Sequence, residues 1–342
     1  MKNVLIRLFH VFLTVAFLLV AFSAQGEAAR IYIATQAVGS SYYALGTGVA
    51  KIISENTPYD ATVLPYSGAD AFMPELKEGT INAGLSAVMD LVWAYTGTVN
   101  YDEPHEELRM VLSGNWAENC TMTVLEGSGI TSISELRGRR VGYEYGGNQL
   151  TVLMVDAALA SVGMTIDDCV IVPVPDLNGA LRALQERRVD AVFSGGNSAP
   201  ASMQLDEALG IRILPIGDLT PEDIAGGVPE NIQAIYDRLV PGASAVVVLG
   251  GTVKEPTVLT AFPIQMAVHI ALTEDEVYTI LKAIYENHEE LASAHVWGRG
   301  WIPANFVPED FKVPFHDGAV RFYKEAGLWT DEAEAIQQAL LM

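Results

Sequence analysis

Short β-type runs alternate with helix-type segments from Arg30 to Ile216, and this alternation constrains the chain more than any other feature. Strands are predicted at 30–34, 61–64, 81–85, 109–112, 121–125, 140–143, 170–174, 189–193 and 211–216, with helices at 42–55, 69–78, 148–162, 176–186 and 199–209. Such alternation is the pattern of α/β architecture, in which parallel strands are wrapped by crossover helices. One internal echo adds to it. Leu76-x4-Ile81-Asn82-Ala83-Gly84-Leu85-Ser86 recurs as Leu184-x4-Val189-Asp190-Ala191-Val192-Phe193-Ser194 at a constant offset. Each copy reads as a helix end, a tight turn, a strand and a serine at its C-terminal tip. Two βαβ units can share such turns by coincidence. The reading adopted is two lobes of related topology, each offering a serine-tipped strand to a shared crevice, because open α/β sheets bind ligands beyond the carboxyl ends of their strands.

The stretch 219–255 is rich in Pro and Gly (Pro221, Gly226, Gly227, Pro229, Pro241, Gly242, Gly250, Gly251) and reads as connecting chain. A strand at 258–268, a long helix at 274–292 and tail helices at 317–326 and 331–341 follow. A domain takes about 100–200 residues, so two lobes are expected. Residues 27–118 start lobe 1, 119–217 build lobe 2, and 218–342 connect and return to lobe 1.

The first 26 residues are set apart as a signal peptide. Lys2 and Arg7 precede an apolar run from Val11 to Phe22, followed by the small-x-small site Ala24-Gln25-Gly26. Signal peptidase reads those features, and the apolar run falls short of the roughly 20 residues that span a bilayer. An exported, periplasmic protein is therefore expected. The net charge of −22 excludes nucleic acid and anionic membrane surfaces as partners, since both recruit basic patches. Cys120 and Cys169 could pair in an oxidising compartment, but each sits in a β-type apolar run, and two buried free thiols are the simpler expectation.

Five stretches together resemble one family: ATQAVGSSYYALGTGVAKIIS, LKEGTINAGLSAVMDLVWAYTG, SGITSISELRGRRVGYEYGGNQLT, ALRALQERRVDAVFSGGNSAPA and FHDGAVRFYKEAGLW. The chain is similar, over essentially its whole mature length, to the TAXI-type solute receptors of tripartite ATP-independent periplasmic (TRAP) transporters. The resemblance implies a class II periplasmic binding protein fold, with two α/β lobes, a hinge and an interlobe cleft. It also implies a receptor that passes a small organic acid or amino acid, glutamate-like solutes among them, to TRAP membrane subunits. A periplasmic sensor or a receptor for an ATP-driven importer would share this fold. Two departures stand out: Glu144-Tyr145-Gly146-Gly147-Asn148 replaces the family's usual Pro-Gly-Ser-Gly-Thr turn, and Val88-Met89-Asp90 replaces Gln-Ser-Asp.

Candidate ligand contacts lie at the predicted strand tips. Ser40, Ser41, Tyr42 and Tyr43 follow Gly39 at a helix start, where unpaired backbone N–H groups and the helix dipole favour an anion; Tyr42 and Tyr43 cannot both face inward. Ser67 and Gly68 form a second strand-to-helix turn. In the third, Glu144, Gly146, Gly147, Asn148 and Gln149 combine close backbone approach with side-chain amides. Ser194, Gly195 and Asn197 make the fourth. Any of these could be mere helix caps. The predicted tips contain no Lys or Arg but do contain Asp70, Asp90, Glu118, Glu144 and Asp176. A buried dicarboxylate would lack a cationic partner. Taken with the acidic solutes that the resemblance implies, the loops point to a zwitterion with its ammonium near Asp90 or Glu144; the alternative is that these acids face solvent at the crevice rim and an Arg of the C-terminal segment, such as Arg299, reaches in. No metal-ligand spacing, nucleophile elbow or phosphate loop is present, so neither an enzyme nor a cofactor is expected. His316 is expected to cap or pack a helix.

Overall fold

The computed structural model describes residues 29–342, and the predicted leader lies outside them. In the first lobe β1 (Arg30–Gln36) leads into α1 (Ser41–Asn56), β2 (Asp60–Tyr66), α2 (Ala69–Lys77), β3 (Ala83–Ala87) and α3 (Val88–Thr96). Strand β4 (Leu108–Asn119) then crosses to the second lobe. There β5 (Met122–Leu125), β6 (Arg140–Tyr143), α4 (Gln149–Ala160), β7 (Val170–Pro173), α5 (Leu177–Gln185), β8 (Ala191–Val192), α6 (Pro200–Leu209), β9 (Ile211–Leu214) and α7 (Glu230–Leu239) follow. The chain returns through β10 (Ser244–Gly250) and β11 (Val253–His269), and ends in α8 (Glu274–Asn287), the short α9 (Leu291–Ala294), α10 (Asp317–Glu325) and α11 (Asp331–Leu340).

Two mixed sheets form the two lobes. In the first, β2, β1 and β3 are parallel, and β11 and β4 add antiparallel, with β10 on the early half of β11. In the second the order is β7-β6-β8-β5-β9, with β6 parallel to both neighbours and β5 antiparallel to both of its own. Strands β4 and β11 pair antiparallel from Thr260↔Asn119 to His269↔Leu108 and form the crossing between lobes. Helix α1 shows why the sequence folds this way. Leu45, Val49, Ile52 and Ile53 recur at helical spacing and are all buried against the sheet, each burial contributing roughly 1.5–3 kcal/mol.

The internal echo is a structural repeat at an offset of 108 positions. Gly79 and Arg187 both adopt left-handed backbone, at φ 69° and 56°. Thr80 N–H donates to Glu75 O at 3.0 Å, and Arg188 N–H to Ala183 O at 2.9 Å. Asn82 Oδ1 accepts Tyr32 N–H at 2.8 Å, and Asp190 Oδ2 accepts Arg140 N–H at 2.9 Å. Thus β1-α1-β2-α2-β3 and β6-α4-β7-α5-β8 are two copies of one unit.

The structure also corrects several expectations. Helix α3 was not foreseen: its residues are almost uniformly apolar, Ala87 gives its start no side-chain cap, and Gly97 ends it in the left-handed region. Strand β4 runs through to Asn119, and β8 shrinks to Ala191–Val192. The 219–255 stretch holds α7 and β10, and α7 packs on α4 of the second lobe. Both cysteines are free thiols, as expected, but only Cys120 is buried and Cys169 is half-buried. His316 caps α10, its Nδ1 accepting Gly318 N–H at 3.1 Å while Nε2 lies 2.9 Å from Leu272 O. Among the described residues no helix is long and apolar enough to cross a membrane, and no three His, Cys, Asp or Glu side chains are grouped to hold a metal.

Candidate functional site

The two lobes meet around a narrow cavity of about 20 Å³, room for one or two water molecules. The first lobe contributes Gln36, Gly39, Ser40, Ser41 and Tyr42 from the β1-to-α1 turn, and the second contributes Leu150, Thr151 and Met154 of α4, Leu177, Asn178 and Leu181 of α5, and Phe193, Ser194 and Gly195 after β8. Asn119 and Phe262 come from the crossing strands. Thus Ser40, Ser41, Tyr42, Ser194 and Gly195, expected from the sequence, all reach the wall.

Local chemistry fixes each wall. Ser40 caps α1 by accepting Tyr43 N–H at 3.1 Å, which orients Ser41 and Tyr42 inward and leaves Tyr43 half-exposed. Tyr42 is buried edge-on against Trp297, with ring centroids 5.4 Å apart. Opposite, the Ser194 and Thr123 hydroxyls lie 2.6 Å apart, and Ser202 Oγ donates to Ser194 O at 2.9 Å. The Tyr145 hydroxyl accepts Phe193 N–H at 2.8 Å and donates to Phe193 O at 3.2 Å. It holds the β8 tip from within the second lobe.

The lobes touch directly on both sides of the cavity. Ala201 N–H donates to Gly39 O at 3.0 Å, and Asn178 Nδ2 donates to Val38 O at 3.1 Å. On the other side Gln149 N–H donates to Asp70 Oδ2 at 2.6 Å. The Ser67-Gly68 turn meets Gly147 and Asn148 so closely that a Cβ at Gly68 would lie 2.3 Å from Gly147 O. Gly147 itself sits at φ 71°, where a Cβ would come 2.5 Å from Ser67 Oγ, so that position favours glycine twice over. The predicted residues Ser67, Gly68, Gly147, Asn148 and Gln149 therefore form an interlobe contact beside the cavity.

Beneath Tyr42 lies a buried acidic group. Asp90 is 1% exposed, and Asp90 Oδ1, Tyr42 Oη, Ser86 Oγ and Ser41 Oγ have no hydrogen-bond partner among the described residues. Burial, reinforced by the Asp70 charge, holds the Asp90 carboxyl well above the usual carboxylate range. Burial likewise raises Asp70, against hydrogen bonds from Gln149, Asn100 and Tyr101. Tyr42 is pushed up by burial and then by Asp90.

Other expected residues are placed elsewhere. Glu144 is exposed in left-handed backbone at φ 61°, and neither it nor Asp90 belongs to the cavity wall. Gly146 is exposed next to Pro175. Asn197 holds the β10–β11 turn: its Nδ2 donates to Gly250 O, and its carbonyl accepts Thr252 N–H and Oγ1–H. The apolar wall residues Leu150, Met154, Leu177 and Leu181 were not foreseen. Their helical spacing was a signal, but it is the same signal that core packing gives.

Several solved structures of known proteins align with the chain. A protein described as a periplasmic transporter has a solved structure that aligns with a TM-score of 0.54 at 14% identity, covering 93% of this chain and 97% of that one. The alkanesulfonate-binding protein SsuA from Xanthomonas axonopodis pv. citri, bound to MOPS, aligns at 0.46 and 14% identity over 92% and 84% of the two chains. An ancestral arginine-binding protein bound to arginine aligns at 0.48 and 15% identity over 78% and 96%. The two α/β lobes are thus the class II periplasmic binding protein fold. Residues 33–327 match the model of the NMT1-like family, and the chain belongs to that family.

Proposed function

We propose that the chain is an extracytoplasmic solute receptor, which closes two lobes on a small organic acid or amino acid and delivers it to the membrane subunits of a TRAP transporter. The observation that carries this reading is a cavity walled by both lobes and bordered by the crossing strands β4 and β11. Polar turns on either side come together when the lobes shut, so ligand binding and closure are one event. Ser40, Ser41, Tyr42, Ser194 and Gly195 are the proposed contacts. No covalent step is called for; uncharged donors and helix ends suffice to hold a small anion. The leader read from Lys2 to Gly26 supports a periplasmic location.

Small-angle scattering of the mature protein tests the receptor reading. The radius of gyration should fall when a solute that raises the melting temperature is added, and no change at saturation overturns it. The partner is tested by reconstituting uptake with TRAP membrane subunits or with an ATP-driven importer. Transport supported by the importer alone would replace the TRAP assignment.

A further inference from the structure

Because the lobes are copies of one unit, each helix start facing the cleft has a counterpart, and the two can be compared. At the start of α4 the first helical N–H, that of Gln149, is taken by the Asp70 carboxylate from α2 of the other lobe. At an offset of 108 positions, Gln149 corresponds to Ser41 at the start of α1, and Asp70 corresponds to Asn178 on α5. Asn178 does not repeat the contact. Its amide nitrogen donates to the Val38 carbonyl instead, and it carries no charge.

The start of α1 consequently keeps its donors for another group. Tyr43 N–H is used by Ser40 Oγ and Ala44 N–H by Ser40 O, while the N–H groups of Ser41 and Tyr42 precede the helical ladder. Ser41 Oγ, in a residue 1% exposed, lines the cavity with no hydrogen-bond partner among the described residues. The helix behind these donors is 16 residues long, enough to develop its full dipole.

We infer that the start of α1, once the lobes part to widen a cavity that now has room for only one or two waters, takes the single carboxylate of a small monocarboxylic acid with an otherwise apolar body, in the place that Asp70 fills at α4, and that Asn178, which carries no charge, leaves this place unfilled. The inference deepens the receptor reading and rests on it. The wall residues include no Lys or Arg for a second carboxylate and no Asp or Glu for an ammonium, while Leu150, Met154, Leu177, Leu181, Phe193 and Phe262 supply apolar surface. A second charge on the solute would be buried without a partner, at high cost. This replaces the zwitterion expected from the loop charges.

The test is a melting-temperature and calorimetric titration of the mature protein with butyrate, 4-methylpentanoate and phenylacetate, each beside its primary amide, and with glutarate and leucine. At least one monocarboxylate should bind about tenfold or more tightly than its amide, glutarate and leucine. Ser41→Ala should weaken that acid while leaving the unliganded melting temperature nearly unchanged. Asn178→Asp should supply an internal carboxylate to α1, abolishing acid binding and giving a compact radius of gyration without ligand. Tighter binding of glutarate or leucine, equal binding of acid and amide, or unaltered acid binding by Asn178→Asp overturns the inference but leaves the receptor reading standing. If no compound in this set or in a wider solute screen raises the melting temperature, both fall.

Discussion

Asp70, on a helix of the first lobe, accepts the first helical N–H of Gln149, on a helix of the second, at 2.6 Å. A charged acceptor meets the positive end of a helix in a partly buried setting, so the bond is of the stronger kind. Parting the lobes breaks it. Asp70→Ala should therefore weaken the closed form by about 1–3 kcal/mol and raise the apparent Kd for a bound solute by about 5- to 150-fold. Isothermal titration of wild type and variant with the same solute checks this, and an unchanged Kd would show that the contact does not hold the lobes.

Gly68 offers a steric test of the same interface. Its backbone is extended, at φ −178°, so alanine is locally acceptable, yet the added Cβ would lie 2.3 Å from Gly147 O and 2.5 Å from Asn148 Cβ across the lobe boundary. Gly68→Ala should leave the fold of each lobe intact while preventing the observed closure. The expected result is a near wild-type melting temperature without solute and a radius of gyration that no longer falls with it. A normal scattering response would mean that the lobes close along another path.

Much of this arrangement was legible in the sequence. The repeated Leu-x4-strand-Ser pattern marked both serine-tipped strands, and Gly39-Ser40 and Gly147-Asn148 marked both helix starts. Local chemistry, a glycine turn plus a capping oxygen, carries that signal. What escaped depends on contacts distant in the chain. Helix α3 has no capping signature, and its apolar residues would suit a buried strand equally well. Glu144 adjoins Gly146 and Gly147 in the sequence, but it is exposed and outside the cavity wall, which depends on how the second lobe packs around that turn. The orphaned oxygen of Asp90 depends on what packs around it, which spacing cannot tell.

The hydroxyl of Tyr145 bridges both backbone groups of Phe193 inside the second lobe. Phenylalanine at 145 would fit the space but leave Phe193 N–H and C=O buried without that partner. Tyr145→Phe should cost about 1–3 kcal/mol of folding stability, read as a lower urea midpoint at unchanged slope. An unaltered midpoint would mean that the two bonds contribute nothing net.

Asp90 makes stability depend on pH in a direction that can be fixed in advance. Burial, and then the charge of Asp70, hold its carboxyl well above the ordinary value of 3.8, near which it titrates in the unfolded chain. The folded protein therefore binds this proton more firmly than the unfolded chain does. The contribution to stability is full below the ordinary value and is lost as pH rises from there toward the raised one. Asparagine cannot ionise, so Asp90→Asn should melt above wild type at neutral pH. The gap should close as pH falls toward about 4, where both side chains are neutral. The many other carboxylates titrate alike in both proteins, so the difference between the two melting curves isolates position 90. A gap that stays constant, or widens on acidification, would show that Asp90 is held ionised in the fold by a partner not yet identified.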